Sequence, residues 1–473
     1  MFRWKELFGL LVLLSLCAGC AKVQAYRPAP IAPVATARRL ESRSLSDPGL
    51  EKFLQANLRS SLPVWPLRRW DLRTLTYAAL YFNPQIAVAR EQMAVTKAAI
   101  ITAGEKPNPT FKLTPGIPSP YLLNVRLRFP IETHGRRRLR IEQAQRLYAA
   151  ARLMLAETEW NAASAVRKAL LGYEMDRRLM AAGRATARIE TRRVTLLKSL
   201  VAAGEGARPA LETARVALSN ERLAIREEEG RFATDRATLA GALGVPVEAL
   251  DGVAIAWPEF GRLPSIASLS PPSLRREAVF DRLDVRRALE QYAAADAALR
   301  LQLARQYPNF NIGPGYSYSD PYSNFTIPFN IILPIRNRNQ GPIAQAAAFR
   351  KEMAANFLAL QAQAIARSEQ ALAAYRAALG AFAESSRPYS DQQRRIRTGE
   401  RMLAEGESGR LPVNALQLEG EIYSQQQLQA LGQAQAALGA LEDAVERPLG
   451  PDVSIFPARA RTAAAQSRKE SGR

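Results

Sequence analysis

Few residues in this chain could make or break bonds. Its two cysteines, Cys17 and Cys20, both fall within the first 20 residues, and His134 is the only histidine. The rest of the sequence can hold neither a disulfide nor a thiolate metal site. There is no GxxxxGKS/T loop to cradle a phosphate, no GxSxG elbow to raise a nucleophile and no HExxH pair to bind zinc. The seven methionines are scattered and form no metal relay. His134 stands beside Arg136, Arg137 and Arg138 and reads as a membrane-boundary or helix-start residue, not a ligand. No catalytic, cofactor-binding or metal-binding residue is therefore assigned, and no enzyme activity is expected.

The one thiol with a legible chemistry is Cys20. Arg3 and Lys5 precede an apolar run from Leu7 to Leu16, too short to span a bilayer and typical of a signal-peptide core. Cys17-Ala18-Gly19-Cys20 then resembles a bacterial lipobox, in which the Cys20 thiol would be diacylated and become the mature N-terminus. Ala21, where such lipoproteins can carry aspartate, favours the outer membrane. Ordinary signal cleavage near Ala21 is the alternative. No later stretch reaches the ~18 apolar residues of a transmembrane helix.

The charge balance is basic, 65 Lys+Arg against 44 Asp+Glu, for a net charge of +21. Such a balance suits nucleic acid, an anionic membrane surface or acidic partners. Most arginines here alternate with glutamates along helical stretches, which is the pattern of a solvated face. The exceptions are Arg136-Arg137-Arg138 with Arg140, and the tail after Arg459. The export signal and the lack of interleaved aromatics argue against nucleic acid.

The elements that carry these residues are duplicated. Glu91-Gln92, Ala94, Ala98, Pro109-Thr-Phe111 and Pro115-Gly116 recur at a constant offset of 199 as Glu290-Gln291, Ala293, Ala297, Pro308-Asn-Phe310 and Pro314-Gly315. Ile141-x-Gln-Ala144 and Gly204-Glu205 recur at an offset of 202 as Ile343-x-Gln-Ala346 and Gly406-Glu407. Each half reads as helix, two strands, a very long helix, a turn and a return helix. The expected divisions are a signal peptide (1–19), an anchored linker (20–70), a first repeat (71–246), a Pro-containing linker (247–273), a second repeat (274–449) and a tail (450–473). Residues 22–46 read as extended and 458–473 as disordered.

In the first repeat, strands are expected at about 109–131. Leu123, Val125, Leu127, Phe129 and Ile131 alternate there with Asn124, Arg126, Arg128 and Pro130. In the second, at about 308–335, Phe310, Ile312, Tyr316 and Tyr318 alternate with Asn309, Asn311, Gly313 and Ser317. Runs of about 10 residues suit a tilted strand crossing a bilayer, and equally a soluble meander with one face on a core. Four strands cannot close a barrel alone, and an open edge cannot sit in hydrocarbon, so a membrane-spanning form needs several chains. Between about Arg136 and Ala203 there is no proline, which predicts a rod of roughly 100 Å. A second rod is expected at about 340–404. Ile141, Ala144, Tyr148, Ala151 and Leu155, and later Ala354, Phe357, Ala364, Ala371 and Tyr375, fall on coiled-coil spacings. Gly204-Glu-Gly-Ala-Arg-Pro209 and Gly406-Glu-Ser-Gly409-Arg-Leu-Pro412 break the rods.

Together these features resemble the TolC-type outer-membrane efflux factors, particularly their heavy-metal, CzcC-like branch. The resemblance runs from about Leu50 to Leu449. It rests on Trp65-Pro66 leading to Trp70-Asp71-Leu72, Asn83-Pro84, Lys106-Pro-Asn-Pro109, Phe129-Pro130, Asn337-Arg-Asn-Gln-Gly341, the two Gly-Glu tips and the duplication. It implies a mixed α/β, mostly α channel. A homotrimer would form a 12-stranded β-barrel in the outer membrane and a long α-helical barrel across the periplasm of a Gram-negative-type bacterium. It also implies a periplasmic adaptor protein and an inner-membrane pump of RND or ABC type as partners, and no cofactor. By the same carry-over, Gly204, Glu205, Gly206 and Pro209 with Gly406, Glu407, Gly409 and Pro412 lie at the periplasmic gate and adaptor-docking end. If the apolar strand face meets lipid, Arg126, Arg128, Asn309 and Asn311 would face the barrel lumen, and the charge of the two arginines, apart from the resemblance, leads to the expectation of an outer pore mildly tolerant of anions. The alternative is a lipid-anchored periplasmic helical scaffold without a pore.

Overall fold

The computed structural model describes residues 25–58, 64–116 and 122–450. Cys17, Cys20, the signal peptide, the hairpin turn after Gly116 and the C-terminal tail lie outside the described residues.

The segment up to Arg43 is a unit of its own. It corrects the expectation of an extended 22–46, because helix α1 forms over Pro33–Glu41. Pro33 stands in the first turn, where its fixed φ suits a helix and no N–H is needed, and the following Ala, Arg and Leu residues are good helix formers.

The second unit begins at Ser44. Helix α2 (Pro48–Leu58) buries Leu50 and Leu54 completely, so this part of the expected linker belongs to the core. A short strand β1 (Arg69–Trp70) leads to α3 (Leu72–Phe82) and α4 (Pro84–Gly104). Asp71 and Thr74 form a reciprocal capping box at the start of α3. Asn83 ends α3 and caps α4 by accepting from Gln85 N at 2.9 Å.

Strands β2 (Thr110–Gly116) and β3 (Leu122–Ile131) precede the first rod, α5 (Arg136–Ala202, 67 residues). The return helix α6 (Arg208–Leu243) has 36 residues. The expected linker then contributes β4 (Ala254–Ile255), which pairs in parallel with β1. It also places Trp257 and Phe260 in the main core beside Trp70, Leu75, Leu170 and Leu239. Its prolines hide this from periodicity arguments, because isolated apolar anchors such as Trp257 and Phe260 need no regular element.

The second repeat runs α7 (Pro271–Phe280), α8 (Leu283–Ala304), β5 (Phe310–Ile312), β6 (Gly315–Ser319), β7 (Tyr322–Thr326), β8 (Phe329–Ile331), α9 (Gln340–Ala404) and α10 (Arg410–Val445). Helix α9 has 65 residues and α10 has 36, the same return length as in the first repeat. Among the described residues no helix is long and apolar enough to cross a membrane.

Candidate functional site

The sheet sorts its side chains by face. Strand β3 pairs antiparallel with β2 on one side and with β5 and β6 on the other; β8 and β7 then extend β5 and β6. The register sets Val125 opposite Leu113 and Tyr316, and Phe129 opposite Ile312, all on one face. Lys112 lies opposite Arg126, Thr110 opposite Arg128 and Asn124 opposite Ser317 on the other. A strand's period of two produces this segregation directly. The apolar face has no protein cover: Phe325 is 86 % and Phe329 60 % exposed. Strand β2 has a partner only in β3, and β7 and β8 only in β6 and β5, so both edges of the sheet are open among the described residues.

The basic run below the sheet has a structural use. Arg136 donates to the carbonyls of Ala304, Arg305 and Tyr307 at the end of α8. Arg137 donates to Gly104, and Arg140 to Ala103 and Glu105, at the end of α4. Helix C-termini present unsatisfied carbonyls and partial negative charge, which guanidinium groups satisfy. His134 sits in the left-handed region at φ 53° and stacks on Tyr307, with ring centroids 3.6 Å apart. Arg136, Arg137 and Arg140 thus form a collar that ties the start of the first rod to the ends of α4 and α8, the helices that lead into the two strand pairs.

At the far end the rods turn alike. Gly204 has φ 77° and Gly406 φ 79°. Glu205 N donates to Leu200 O at 2.9 Å, and Glu407 N to Met402 O at 2.8 Å, closing the same helix-ending motif in both. Both tips are exposed. Leu411 packs on the Leu197, Leu211 and Val201 cluster, and Asn414 Nδ2 donates to Ile189 O at 3.0 Å. The two hairpin ends therefore meet. Pro209 stands in the first turn of α6, and Pro412 in that of α10.

Between sheet and tips the helices enclose charged groups. Arg282, 5 % exposed, pairs with both oxygens of Asp284 and donates to the Ala444 carbonyl at 2.6 Å. The Glu446 carboxylate accepts from Leu283 N, and burial pushes its pKa up to about 7. Between α5 and α6, Asp176 is 8 % exposed and its Oδ2 has no partner in the structure. Burial, then Asp235 and Glu228 of α6, raise its pKa to about 6, against the opposing pull of Arg231. No three His, Cys, Asp or Glu side chains gather as a metal site among the described residues.

Of the residues singled out in the sequence, Gly204, Glu205, Gly206, Gly406, Glu407 and Gly409 come together at one end. Arg126 and Arg128 share one face of the sheet with Asn311. Asn309 stands just before β5, and its side-chain oxygen accepts from Thr133 N at 3.2 Å, so it ties the two strand–helix junctions together. Lys112, Arg282 and Glu446 escaped the sequence reading. The strand alternation was the available signal for Lys112.

Residues 75–245 match the model of a family described as outer membrane efflux protein. No curated protein matches the chain. Solved structures share its fold. CusC is 17% identical with a TM-score of 0.63, over 90% of this chain and 99% of CusC. The outer membrane protein VceC of Vibrio cholerae is 15% identical with a TM-score of 0.63, over 79% of this chain and 95% of its own. The open state of the MtrE outer membrane channel of Neisseria gonorrhoeae is 16% identical with a TM-score of 0.62, over 79% and 88%.

Proposed function

We propose that this chain is a member of the outer membrane efflux protein family, whose model its residues 75–245 match, and that three copies of it form the passive outer-membrane exit duct of a tripartite efflux system. The observation that carries this reading is the sheet with two open edges and a bare apolar face. Segments β5 and β6 pair with successive stretches of β3, and β8 and β7 pair with them in turn, so the six segments count as four strands across the sheet. Neither an unpaired edge nor a lone four-strand sheet is stable in hydrocarbon, whereas edges shared between copies leave none unpaired. Three chains supply a 12-stranded barrel. Its apolar face meets lipid, and Arg126, Arg128 and Asn311 line the lumen. Residues 71–246 and 274–449 are then two repeats, each giving one hairpin to the barrel and one helical pair to a periplasmic tube.

Exposed apolar residues also fall in seven-residue steps on the helices, Val88 and Val95 on α4 and Val216 and Leu223 on α6. Such steps suit coiled-coil contacts with neighbouring copies. The tips carrying Gly204 to Gly206 and Gly406 to Gly409 form the gate and the docking end for a periplasmic adaptor. An inner-membrane pump of RND or ABC type supplies the energy, so this subunit needs no catalytic group. Acylated Cys20 holds the duct to outer-membrane lipid.

The test is conductance. Full-length protein extracted from outer membranes and reconstituted into planar bilayers gives discrete channel openings on this reading. If a Cys20→Ser form with a cleavable signal stays soluble without detergent and never conducts, the protein is the pore-less scaffold.

A further inference from the structure

We infer that the barrel of this duct selects for anionic solutes, through a strip of cations formed by Lys112, Arg126 and Arg128. The inference rests on the duct reading and names the class of cargo that leaves most easily. The strands β2, β3, β5, β6, β7 and β8 contain no other charged residue. All three cations are exposed. The register puts all three on one face, because Lys112 and Arg126 are direct cross-strand partners and Arg128 follows two residues later. None of them has an ion-pair partner among the described residues. Arg140, just below the sheet, by contrast forms an ion pair with Glu132.

Two further features argue that the strip is not incidental. A like-charged pair placed directly opposite destabilises a sheet, and Lys112 with Arg126 is such a pair. On the other side of β3, Gly315 is the partner of Arg126, and Gly313 approaches the backbone at Leu127 and Arg128. The neighbouring strand therefore presents no side chain to cover or neutralise either guanidinium. The remaining polar positions beside them, Thr110, Asn124, Ser317, Asn324 and Thr326, are neutral.

Three uncompensated cations per chain, repeated around a narrow water-filled wall, set a positive potential that concentrates anions and excludes free cations. Carboxylate, phosphate-like and oxyanion solutes would pass this segment more readily than a bare divalent metal cation. A cationic cargo would have to leave complexed, or against the field.

The experiment is a reversal-potential measurement on the reconstituted full-length channel under a KCl gradient. The wild-type channel should favour chloride over potassium, and the preference should weaken with salt, since the screening length falls from ~10 Å at 0.1 M to ~3 Å at 1 M. The triple variant Lys112→Gln, Arg126→Gln, Arg128→Gln should conduct with its chloride preference reduced by roughly threefold or more. The single variant Lys112→Glu, which also removes the like-charge pair, should move the potential in the same direction and serves if the triple variant does not assemble. A conducting wild-type channel that prefers potassium, or variants whose reversal potential equals that of the wild type, overturns the anion strip and leaves the duct standing. Absence of any conductance from correctly assembled protein overturns both.

Discussion

Gly244 and Glu446 occupy the same place in the two repeats, 202 residues apart, and both end a return helix in the left-handed conformation, with φ of 78° and 49°. Glycine adopts this backbone freely, while a residue with a Cβ is strained there by about 1–2 kcal/mol. What holds Glu446 is its carboxylate, which accepts from Leu283 N and lies 3.7 Å from Arg282. The second repeat has replaced a neutral helix stop by a clamp between α10 and α8.

Two substitutions separate the strain from the clamp. Glu446→Gly relieves the backbone but removes the acceptor of a buried N–H, whose loss costs about 1–3 kcal/mol. It should lower or leave unchanged the melting temperature of the detergent-extracted protein, and a clear rise would contradict the clamp. Glu446→Gln keeps an acceptor and removes the charge. The folded pKa of about 7 is raised above the ordinary 4.5, so the stability Glu446 contributes is complete below 4.5 and lost as pH climbs through 7. The glutamine variant should therefore gain on the wild type between pH 5 and pH 8, by no more than about 3 kcal/mol.

Asp176 gives a second pH signature at another place, between α5 and α6. It faces Asp235, Glu228 and Arg231, and its pKa of about 6 stands above the ordinary 3.8. Its contribution is likewise full below 3.8 and lost on passing 6. Asp176→Asn should unfold at a higher temperature than the wild type at pH 8, by the equivalent of about 2 kcal/mol, with the difference vanishing near pH 4. Equal melting at both pH values would show that the carboxylate is solvated.

Much of this fold could be read from the chain because its long elements are uninterrupted. The first rod, expected over 136–203, runs from Arg136 to Ala202, and the second runs from Gln340 to Ala404. Pro388 does not stop the second rod. There the Ser385 and Ser386 hydroxyls both donate to the Phe382 carbonyl in the preceding turn. The glycine tips were legible because only glycine takes their φ without strain. The use of the arginine collar was not, since Arg136 meets carbonyls 168 to 171 residues away and no local pattern reports such a partner. Asn309, Trp257 and Phe260 were obscured for the same reason: their roles are set by distant neighbours. The fate of the Cys20 thiol lies outside the described residues.

Gly313 tests the close pairing in the sheet. A Cβ at this position would overlap the Leu127 carbonyl oxygen and lie 2.9 Å from its carbon, and backbone atoms cannot yield as a side chain can. Gly313→Ala should cost about 1–3 kcal/mol of sheet stability and reduce the assembled fraction in outer-membrane extracts. Normal assembly of Gly313→Val would show that the strands are spaced differently.

Gly206 tests the tip. A Cβ there would come 2.8 Å from Val201 N and 2.9 Å from the Leu200 carbonyl carbon, so the turn must reshape. Gly206→Ala should lower efflux in cells and weaken adaptor pull-down while bilayer conductance persists. Unchanged efflux would remove this turn from the docking surface.

The central claim is that one chain cannot close its own barrel. Native mass spectrometry of the detergent-extracted protein addresses it directly. The account predicts a particle of about three times 52.1 kDa, slightly less after signal cleavage. A monomer that is stable and stays soluble once unlipidated would contradict it, because the open sheet edges would then have to exist in water alone.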